Sequence, residues 1–267
     1  MQFERSAGIL LHPTSLPSKF GIGDLGNDAY KFVDFSSKAK QKLWQILPLG
    51  PTSFGDSPYQ CLSAFAGNPL LISFEKIVED KICSEKILYD VPDFPEDKVN
   101  YGDVIEYKFE ILQTIYEEFK ATKNKELEKS FLDFCENEKS WLEDYALFVA
   151  LKDYHEGKPW NEWEKEISQR KDTAVKHFKV FLKDEIEFHK FIQFLFFKQW
   201  LELKSYANSK GIKIIGDLPI FVAFDSADVW VNRHLFEVSE DGRALFIAGV
   251  PPRLFLTHGT TMGQSSL

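Results

Sequence analysis

The sequence predicts an α/β protein with a large helical insertion, and three observations lead to this fold class. Short apolar runs at residues 7–11, 43–49 and 212–215 have the length and composition of strands in a buried parallel sheet. Between the second and third runs, residues 75–204 are rich in Lys and Glu and repeat apolar side chains at helical spacing. The chain of 267 residues is long enough for one large domain, or for a domain with a sizeable insertion.

Charge and composition narrow the range of partners. The formal net charge is −9, with acidic and basic residues interspersed, which argues against nucleic acid and against an anionic membrane surface. No apolar run approaches the length of a membrane span, and the first residues are too poor in apolar side chains for a signal peptide. The sequence therefore predicts a cytoplasmic protein, and its charge is compatible with a neutral ligand. Exposed members of its 25 Phe, 9 Tyr and 6 Trp could stack on sugar faces.

Cysteine and histidine usage predicts no metal site. Cys61, Cys83 and Cys135 are widely spaced and odd in number, and no CxxC or Cys/His ligand spacing occurs. Free, reduced thiols are the expected state of such residues in a cytosolic protein. The insertion also contains histidines that have no partners at ligand spacing, and we assign them no role: His155, His177 and His189.

The first apolar run predicts a strand followed by a glycine-containing loop and a helix. The loop, SLPSKFGIGDLG, either cradles a phosphate or needs glycine for positive φ and close backbone approach. Its spacing is not the GxGxxG that opens directly into a helix, which favours the second interpretation. Residues 28–40 then contain Tyr30, Phe32, Val33 and Phe35 over a polar remainder, which predicts an amphipathic helix with Asn27 or Asp28 as the N-cap.

The second apolar run is followed by a long loop, GPTSFGDSPYQCLSAFAGNP, that is rich in Gly, Ser and Pro. Ordered loops of this length between a strand and a helix are usually functional. Tyr59 lies in this loop, either as a packed aromatic or as a platform that stacks and hydrogen-bonds. In the insertion, Trp160 and Trp163 are expected to anchor helix packing.

The stretch GIKIIGDLPIFVAFDSADVW, residues 211–230, organises the rest of the chain. Asp217 follows its first apolar run, and a carboxylate at the carboxyl end of a buried parallel strand occupies the position at which α/β barrels build their sites. The alternative is that Asp217 caps a turn before the proline. An acidic cluster with Ser226 follows, and residues 235–248 then predict a β-hairpin around Asp241–Gly242.

Three of these stretches together resemble the 4-α-glucanotransferases, also called amylomaltases or disproportionating enzymes. They are GILLHPTSLPSKFGIGDLG, WQILPLGPTSFGDSPYQCLSAFAGNPLL and GIKIIGDLPIFVAFDSADVW, and LFEVSEDG and AGVPP extend the match to Pro252. The segment SPYQ, followed by GDLPIFVA and DSADVW in this order, is highly specific for the family.

The resemblance implies a partial (β/α)8 TIM barrel, first strands only, with a large α-helical insertion and without metal or organic cofactor. In this organisation residues 1–74 begin the barrel, residues 75–204 form the insertion, and residues 205–252 continue the barrel with the hairpin. The implied activity is transfer of an α-1,4-glucan segment from maltooligosaccharides or glucan to a glucose or glucan acceptor, with retention. Such chemistry needs two carboxylates, one as nucleophile and one as acid and base.

The resemblance also assigns roles to residues of this chain. Tyr59 resembles the loop tyrosine that lines the donor-sugar site, and Asp217 resembles the carboxylate that shapes this site at the end of the third strand. Asp225, Ser226 and Trp230 correspond to the following loop, in substrate-side or scaffolding roles. No catalytic residue is expected in this chain, because the family's catalytic carboxylates lie in motifs resembling RIDHFRG, EDLG and NTHD, which this sequence lacks.

The end of the chain departs from the family pattern. Family members are about twice this length, as barrels with insertions can be, and after GVPP residues 253–267 lose the resemblance. A one-nucleotide shift at Arg253 would restore family-like text, so we expect a frameshifted, truncated tail, which the coding DNA tests. Alone, the chain is expected to be marginally stable and inactive. Two alternatives remain: a non-catalytic carbohydrate-binding remnant (a pseudo-enzyme), and a different barrel glycosidase with catalytic residues in this half. The sequence does not predict an oligomeric state.

Overall fold

A computed structural model describes residues 5–218, 221–239 and 241–246, which form two compact units. The first unit contains residues 5–49, 67–139 and 190–218. The second contains residues 50–66, 140–189, 221–239 and 241–246. This division does not coincide with the boundaries predicted at residues 74 and 204, and those boundaries stay predictions. The AGVPP segment and the tail at 253–267 lie outside the described residues.

The first unit contains a parallel sheet in the order β1-β2-β3, which confirms the predicted α/β class. Each predicted apolar run contributes one strand: β1 is Gly8–Leu10, β2 is Leu43–Gln45 and β3 is Lys213–Ile215. The prediction that these strands are buried is wrong for β1 and β3, whose side chains are exposed or half-buried. Edge strands pair on one side only and therefore have fewer packing partners, whereas Trp44 of the central strand is fully buried.

The helices account for most of residues 75–204, as the periodicity of that segment predicts. The first helix starts one residue earlier than expected, and its N-cap is Gly26 rather than Asn27 or Asp28. A Cβ at Gly26 would collide with the hydroxyl of Ser73, so the close approach of these two segments requires glycine there. The helices are α1 Asn27–Lys38, α2 Phe74–Glu79, α3 Tyr101–Thr122, α4 Lys125–Asn137, α5 Lys139–Tyr154, α6 Lys165–Ser168, α7 Asp172–Phe181, α8 Lys183–Ser209 and α9 Ala227–Val231.

Helix α8 provides much of the core of the first unit. The apolar side chains that the sequence places on one face are buried, among them Ile192, Leu195 and Leu203. Phe191, on the same helix, stacks on Phe119 of α3 with ring centroids 4.5 Å apart. The helical pattern in the sequence therefore identified the correct buried face of α8.

Two buried glutamines of α8 hold the segment that links β2 to α2. Gln193 accepts a hydrogen bond from the Gly67 N–H at 2.7 Å and donates one to the Gly67 carbonyl at 2.9 Å. Gln199 makes the same pair of bonds with Ser73, at 2.8 and 2.9 Å. Both glutamines are at least 98 % buried, and their amides satisfy backbone groups that would otherwise be buried without partners.

A buried lysine and a buried aspartate lie in the same unit. The amine of Lys108, on α3, is fully buried and donates to the carbonyls of Leu70 at 2.6 Å and Ile72 at 3.0 Å. Burial lowers the pKa of Lys108 to about 8, and the Asp24 charge opposes this shift. Burial raises the pKa of Asp24 to about 6, and Lys108 opposes it in turn. Burial in the first unit therefore shifts the pKa values of both groups, although they lie far apart in the sequence.

These two groups predict a pH-dependent stability. Asp24 has a raised pKa in the folded chain, so its contribution is complete below about pH 4 and is lost as the pH rises to about 6. Lys108 has a lowered pKa, so its contribution appears as the pH rises from about 8 to 10.5. Urea unfolding across pH 4 to 10.5 should show that the unfolding free energy of the wild type, relative to that of Asp24→Asn, falls as the pH rises from about 4 to about 6. Parallel profiles of the two proteins would contradict this assignment.

The predicted turn at Asp241–Gly242 lies in the second unit. Val238 and Ala244 form an antiparallel bridge on either side of it, and the Ser239 N–H donates to the Arg243 carbonyl at 2.8 Å. Gly242 has φ of +82°, a conformation that glycine adopts without steric cost.

Candidate functional site

Residues 50–66, which we call the Tyr59 loop, fold back on themselves as a closed hairpin-like loop in the second unit. Thr52 and Cys61 form an antiparallel bridge, and the Leu62 N–H donates to the Pro51 carbonyl at 3.0 Å. Nearer the tip, the Ser53 hydroxyl and N–H both donate to the Gln60 carbonyl, at 2.8 and 3.0 Å. The loop is therefore held closed by hydrogen bonds between its own two arms.

Tyr59 lies at the tip of this loop and is 45 % exposed. Its N–H donates to the Ser57 hydroxyl at 3.3 Å, a local turn contact that fixes the backbone and leaves the ring toward solvent. An exposed aromatic ring with a hydroxyl can stack on a sugar face and hydrogen-bond to it. The platform role of Tyr59 stays a prediction.

Cys61 follows the tip and is a free, buried thiol. Its S–H donates to the Pro58 carbonyl at 2.9 Å. Burial raises the pKa of Cys61 to about 11, and the charge of Asp228 adds to the shift. Because the thiolate is the reactive form, this cysteine is protected from alkylation while the loop keeps its conformation.

Asp225 is committed to an ion pair inside the second unit. Its Oδ2 lies 2.5 Å from the Lys152 amine of α5, and its Oδ1 accepts from the Trp160 N–H at 3.1 Å. Lys152 also donates to the carbonyls of Gly157 and Lys158, which ties the loop after α5 to the same carboxylate. The Asp225 side chain is 28 % exposed, and the contacts given above are all with other parts of the protein. Direct contact with substrate stays a prediction.

Ser226 and Trp230 are fully buried. The Ser226 hydroxyl caps α9 by accepting from the Val229 N–H at 3.3 Å. The Trp230 indole donates to the Ile167 carbonyl at 3.1 Å, and the Arg170 guanidinium lies 4.3 Å from its ring. These contacts are structural, and the substrate-side or scaffolding roles of both residues stay predictions.

Trp160 and Trp163 are buried in the same apolar core, as expected of packing anchors. The Trp160 indole donates to the Phe224 carbonyl at 2.8 Å. Trp163 stacks on His155, whose Nε2 lies 2.6 Å from a Glu164 carboxylate oxygen and whose Nδ1 lies 2.7 Å from the Leu151 carbonyl.

Asp228 links the acidic cluster to the Tyr59 loop, a role that the sequence pattern did not reveal. Its Oδ2 accepts from the Ala64 N–H at 2.9 Å, and the neighbouring Ala227 N–H donates to the Leu62 carbonyl at 2.9 Å. Burial raises the pKa of Asp228, and the Ala64 N–H opposes the shift. The sequence could not predict this contact, because its two partners are 164 residues apart and no local pattern marks it.

Asp217 belongs to the first unit and follows the carboxyl end of β3 by two residues, where it is half-buried. His12 stands at the equivalent position after β1. Burial lowers the pKa of His12 to about 4, so its imidazole is neutral at pH 7, and its Nδ1 is buried without a protein partner. The carboxyl edge of the sheet therefore carries a carboxylate and a neutral imidazole, the second of which the sequence analysis left without a role.

Within residues 5–218, 221–239 and 241–246, no group of three or more His, Cys, Asp or Glu side chains has the arrangement of a metal site. In the same part of the chain, no helix combines the length and apolar character that crossing a membrane requires.

Comparison with known proteins assigns the family. A family model described as 4-alpha-glucanotransferase matches residues 11–265. The chain belongs to the 4-α-glucanotransferase family. The resemblance inferred from the motifs is thereby confirmed. The matched range includes most of residues 253–267, and the frameshift interpretation of that segment stays a prediction.

Individual relatives agree with the family assignment. The chain is 48 % identical over 262 residues to a 4-alpha-glucanotransferase from Synechocystis sp., covering 98 % of this chain and 52 % of the relative. It is 46 % identical over 264 residues to the Thermus thermophilus enzyme of the same name, covering 99 % and 52 %. The chain thus spans about half the length of the curated relatives it matches. A potato relative, 39 % identical, is named chloroplastic/amyloplastic, and the cytoplasmic location of this chain stays a prediction.

A solved structure gives the same result for the fold. The chain matches an amylomaltase from Streptococcus agalactiae in complex with acarbose, with a TM-score of 0.88 and 43 % identity. The match covers 94 % of this chain and 51 % of that protein. The mixed α/β architecture with its small parallel sheet is therefore shared with that amylomaltase.

Proposed function

We propose that this chain forms part of the donor-sugar site of a 4-α-glucanotransferase, which transfers a segment of α-1,4-glucan to a glucose or glucan acceptor with retention. The observation that carries the proposal is the exposed ring of Tyr59 at the tip of an ordered loop, in a chain of this family. An α-1,4-glucan is neutral and presents both apolar faces and hydroxyls, which suits an aromatic side chain with a polar end.

In this proposal β1, β2 and β3 are the first strands of a (β/α)8 barrel. Active sites of such barrels lie at the carboxyl ends of the strands, where Asp217 follows β3. A carboxylate there accepts hydrogen bonds from sugar hydroxyls and fixes the orientation of the donor ring. For Asp225, Ser226 and Trp230, in the segment that follows along the chain, the proposal assigns substrate-side or scaffolding roles.

The bond-breaking step needs two carboxylates that this proposal places outside the 267 residues. A nucleophilic carboxylate forms a glycosyl-enzyme, and an acid/base carboxylate protonates the leaving oxygen and then activates the acceptor hydroxyl. Transfer wins over hydrolysis when the site binds a sugar acceptor well and limits water. The chemistry requires neither a metal nor an organic cofactor.

Two measurements test the proposal. Calorimetric titration of the purified chain with maltoheptaose should detect binding, and Tyr59→Ala should weaken it at least tenfold, because the stacking platform is lost. Tyr89→Ala is the matched control, since Tyr89 is 63 % exposed in the other unit and should not affect affinity.

Activity provides the second measurement. The chain alone should release no glucose from maltotriose, whereas adding a polypeptide that carries RIDHFRG-, EDLG- and NTHD-type motifs should restore release. Turnover by the pure chain, or loss of affinity in Tyr89→Ala as large as in Tyr59→Ala, would count against the proposal.

A further inference from the structure

We propose that Asp228 is a positioning residue: its carboxylate holds residues 61–66, the closing arm of the Tyr59 loop, and thereby fixes where the Tyr59 ring is presented. The consequence for sugar binding rests on the proposed function, whereas the clamp itself rests on geometry alone.

Two hydrogen bonds join this arm to the start of α9. The Asp228 carboxylate accepts from the Ala64 N–H at 2.9 Å, and the Leu62 carbonyl accepts from the Ala227 N–H at 2.9 Å. The two bonds engage alternate residues of the arm, one through a side chain and one through the backbone. Together the two bonds fix the position and the register of the arm. With only one bond, the arm could rotate about that bond.

The other polar side chains of this segment are already engaged. Asp225 is occupied by Lys152 and the Trp160 N–H, and Ser226 caps α9. Asp228 lies in the first turn of α9, where the aligned backbone dipoles favour a negative charge. From this position its Oδ2 accepts the hydrogen bond from the Ala64 N–H.

The clamp is connected to the loop tip through the backbone. Leu62 donates to the Pro51 carbonyl, the next residues pair as the Thr52–Cys61 bridge, and Ser53 closes the tip on Gln60. Releasing the closing arm therefore loosens each of these links in turn. A Tyr59 ring that samples more positions must be ordered when a sugar binds, which weakens affinity without removing any contact.

The alkylation rate of Cys61 measures whether the clamp holds the loop closed. Cys61 is buried within the loop, whereas Cys83 is buried in the other unit and serves as an internal reference. We expect iodoacetamide to alkylate Cys61 at least tenfold faster in Asp228→Ala than in the wild type, with the Cys83 rate unchanged within twofold. Peptide mass spectrometry separates the two sites.

Asp228→Asn distinguishes positioning from electrostatics. It removes the negative charge that raises the pKa of the Cys61 thiol, yet it keeps an oxygen that can accept from Ala64. Alkylation of Cys61 in Asp228→Asn should stay within threefold of the wild type. The proposal is overturned if Asp228→Asn is as fast as Asp228→Ala, if Cys61 is unaffected by Asp228→Ala, or if Cys83 accelerates equally.

Maltoheptaose titration connects the clamp to the site. Asp228→Ala should lower affinity at least fivefold and Asp228→Asn should preserve it. A wild-type chain that binds no maltoheptaose would count against the proposed function, and the alkylation rates would still decide the clamp. Binding that is equally strong in Asp228→Ala would overturn the claim that the clamp positions Tyr59.

Discussion

Replacing Trp230 by alanine is expected to lower the unfolding free energy by about 3–5 kcal/mol, the usual cost of truncating a buried large aromatic. Trp230 is fully buried, with Phe148 and Trp163 packed around it at ring-centroid distances of 5.8 and 5.6 Å. The substitution leaves a cavity and removes the hydrogen bond to the Ile167 carbonyl. It also removes the ring that the Arg170 guanidinium contacts. Urea unfolding followed by far-ultraviolet circular dichroism measures the loss.

Two further variants separate the causes. Trp230→Phe keeps most of the apolar bulk but loses the indole N–H, so an intermediate loss of about 1–2 kcal/mol is expected. Phe181→Ala removes an aromatic from the same unit that is 58 % exposed, and it should cost less than about 1 kcal/mol. A loss below about 1 kcal/mol for Trp230→Ala would show that this core does not depend on the indole.

Replacing Lys108 by methionine is expected to cost about 2–4 kcal/mol. Methionine keeps the length of the apolar stem, but the carbonyls of Leu70 and Ile72 lose a charged donor and Asp24 loses a nearby cation. Hydrogen bonds to charged groups contribute about 1.5–3 kcal/mol, and buried acceptors left unpaired add to the cost. The unfolding free energy at pH 7 is the measured quantity.

The matched control is Lys31→Met, because the Lys31 side chain is 74 % exposed and its pair with Asp28 is an exposed surface pair. It should change stability by no more than about 0.5 kcal/mol. Adding Asp24→Asn to Lys108→Met should recover part of the loss, since the remaining charge is then removed. A Lys108→Met variant as stable as the wild type would mean that the buried amine contributes nothing net.

Local patterns in the sequence predicted the strands and the buried face of α8, because periodicity depends on neighbours along the chain. They could not predict the partners of Lys108, which sits among apolar residues of α3 and resembles any lysine at the edge of a helix. Its acceptors lie 36 and 38 residues away. The same limit applies to Asp225, whose cation is 73 residues distant.

Features of the candidate site that depend on neighbouring residues could be predicted from the sequence, whereas contacts between distant residues could not. Tyr59 stood out because a long Gly- and Ser-rich loop signals function by composition alone, and the structure places its ring at an exposed tip. Edge-strand exposure was missed because an apolar run does not tell a central strand from an edge one. The sequence shows Asp228 as part of an acidic cluster. Its contact with the Ala64 N–H joins distant segments of the chain, and no local pattern encodes it.

The glutamine contacts of α8 have a consequence for how the protein is made. Gly67 and Ser73 receive their partners from residues 126 positions later, and β2 meets β3 only when residue 213 has been synthesised. A nascent chain on the ribosome must therefore wait with this segment unpaired until residues 193–213 have emerged. Such late, long-range closure slows folding and prolongs the interval in which chaperones are useful.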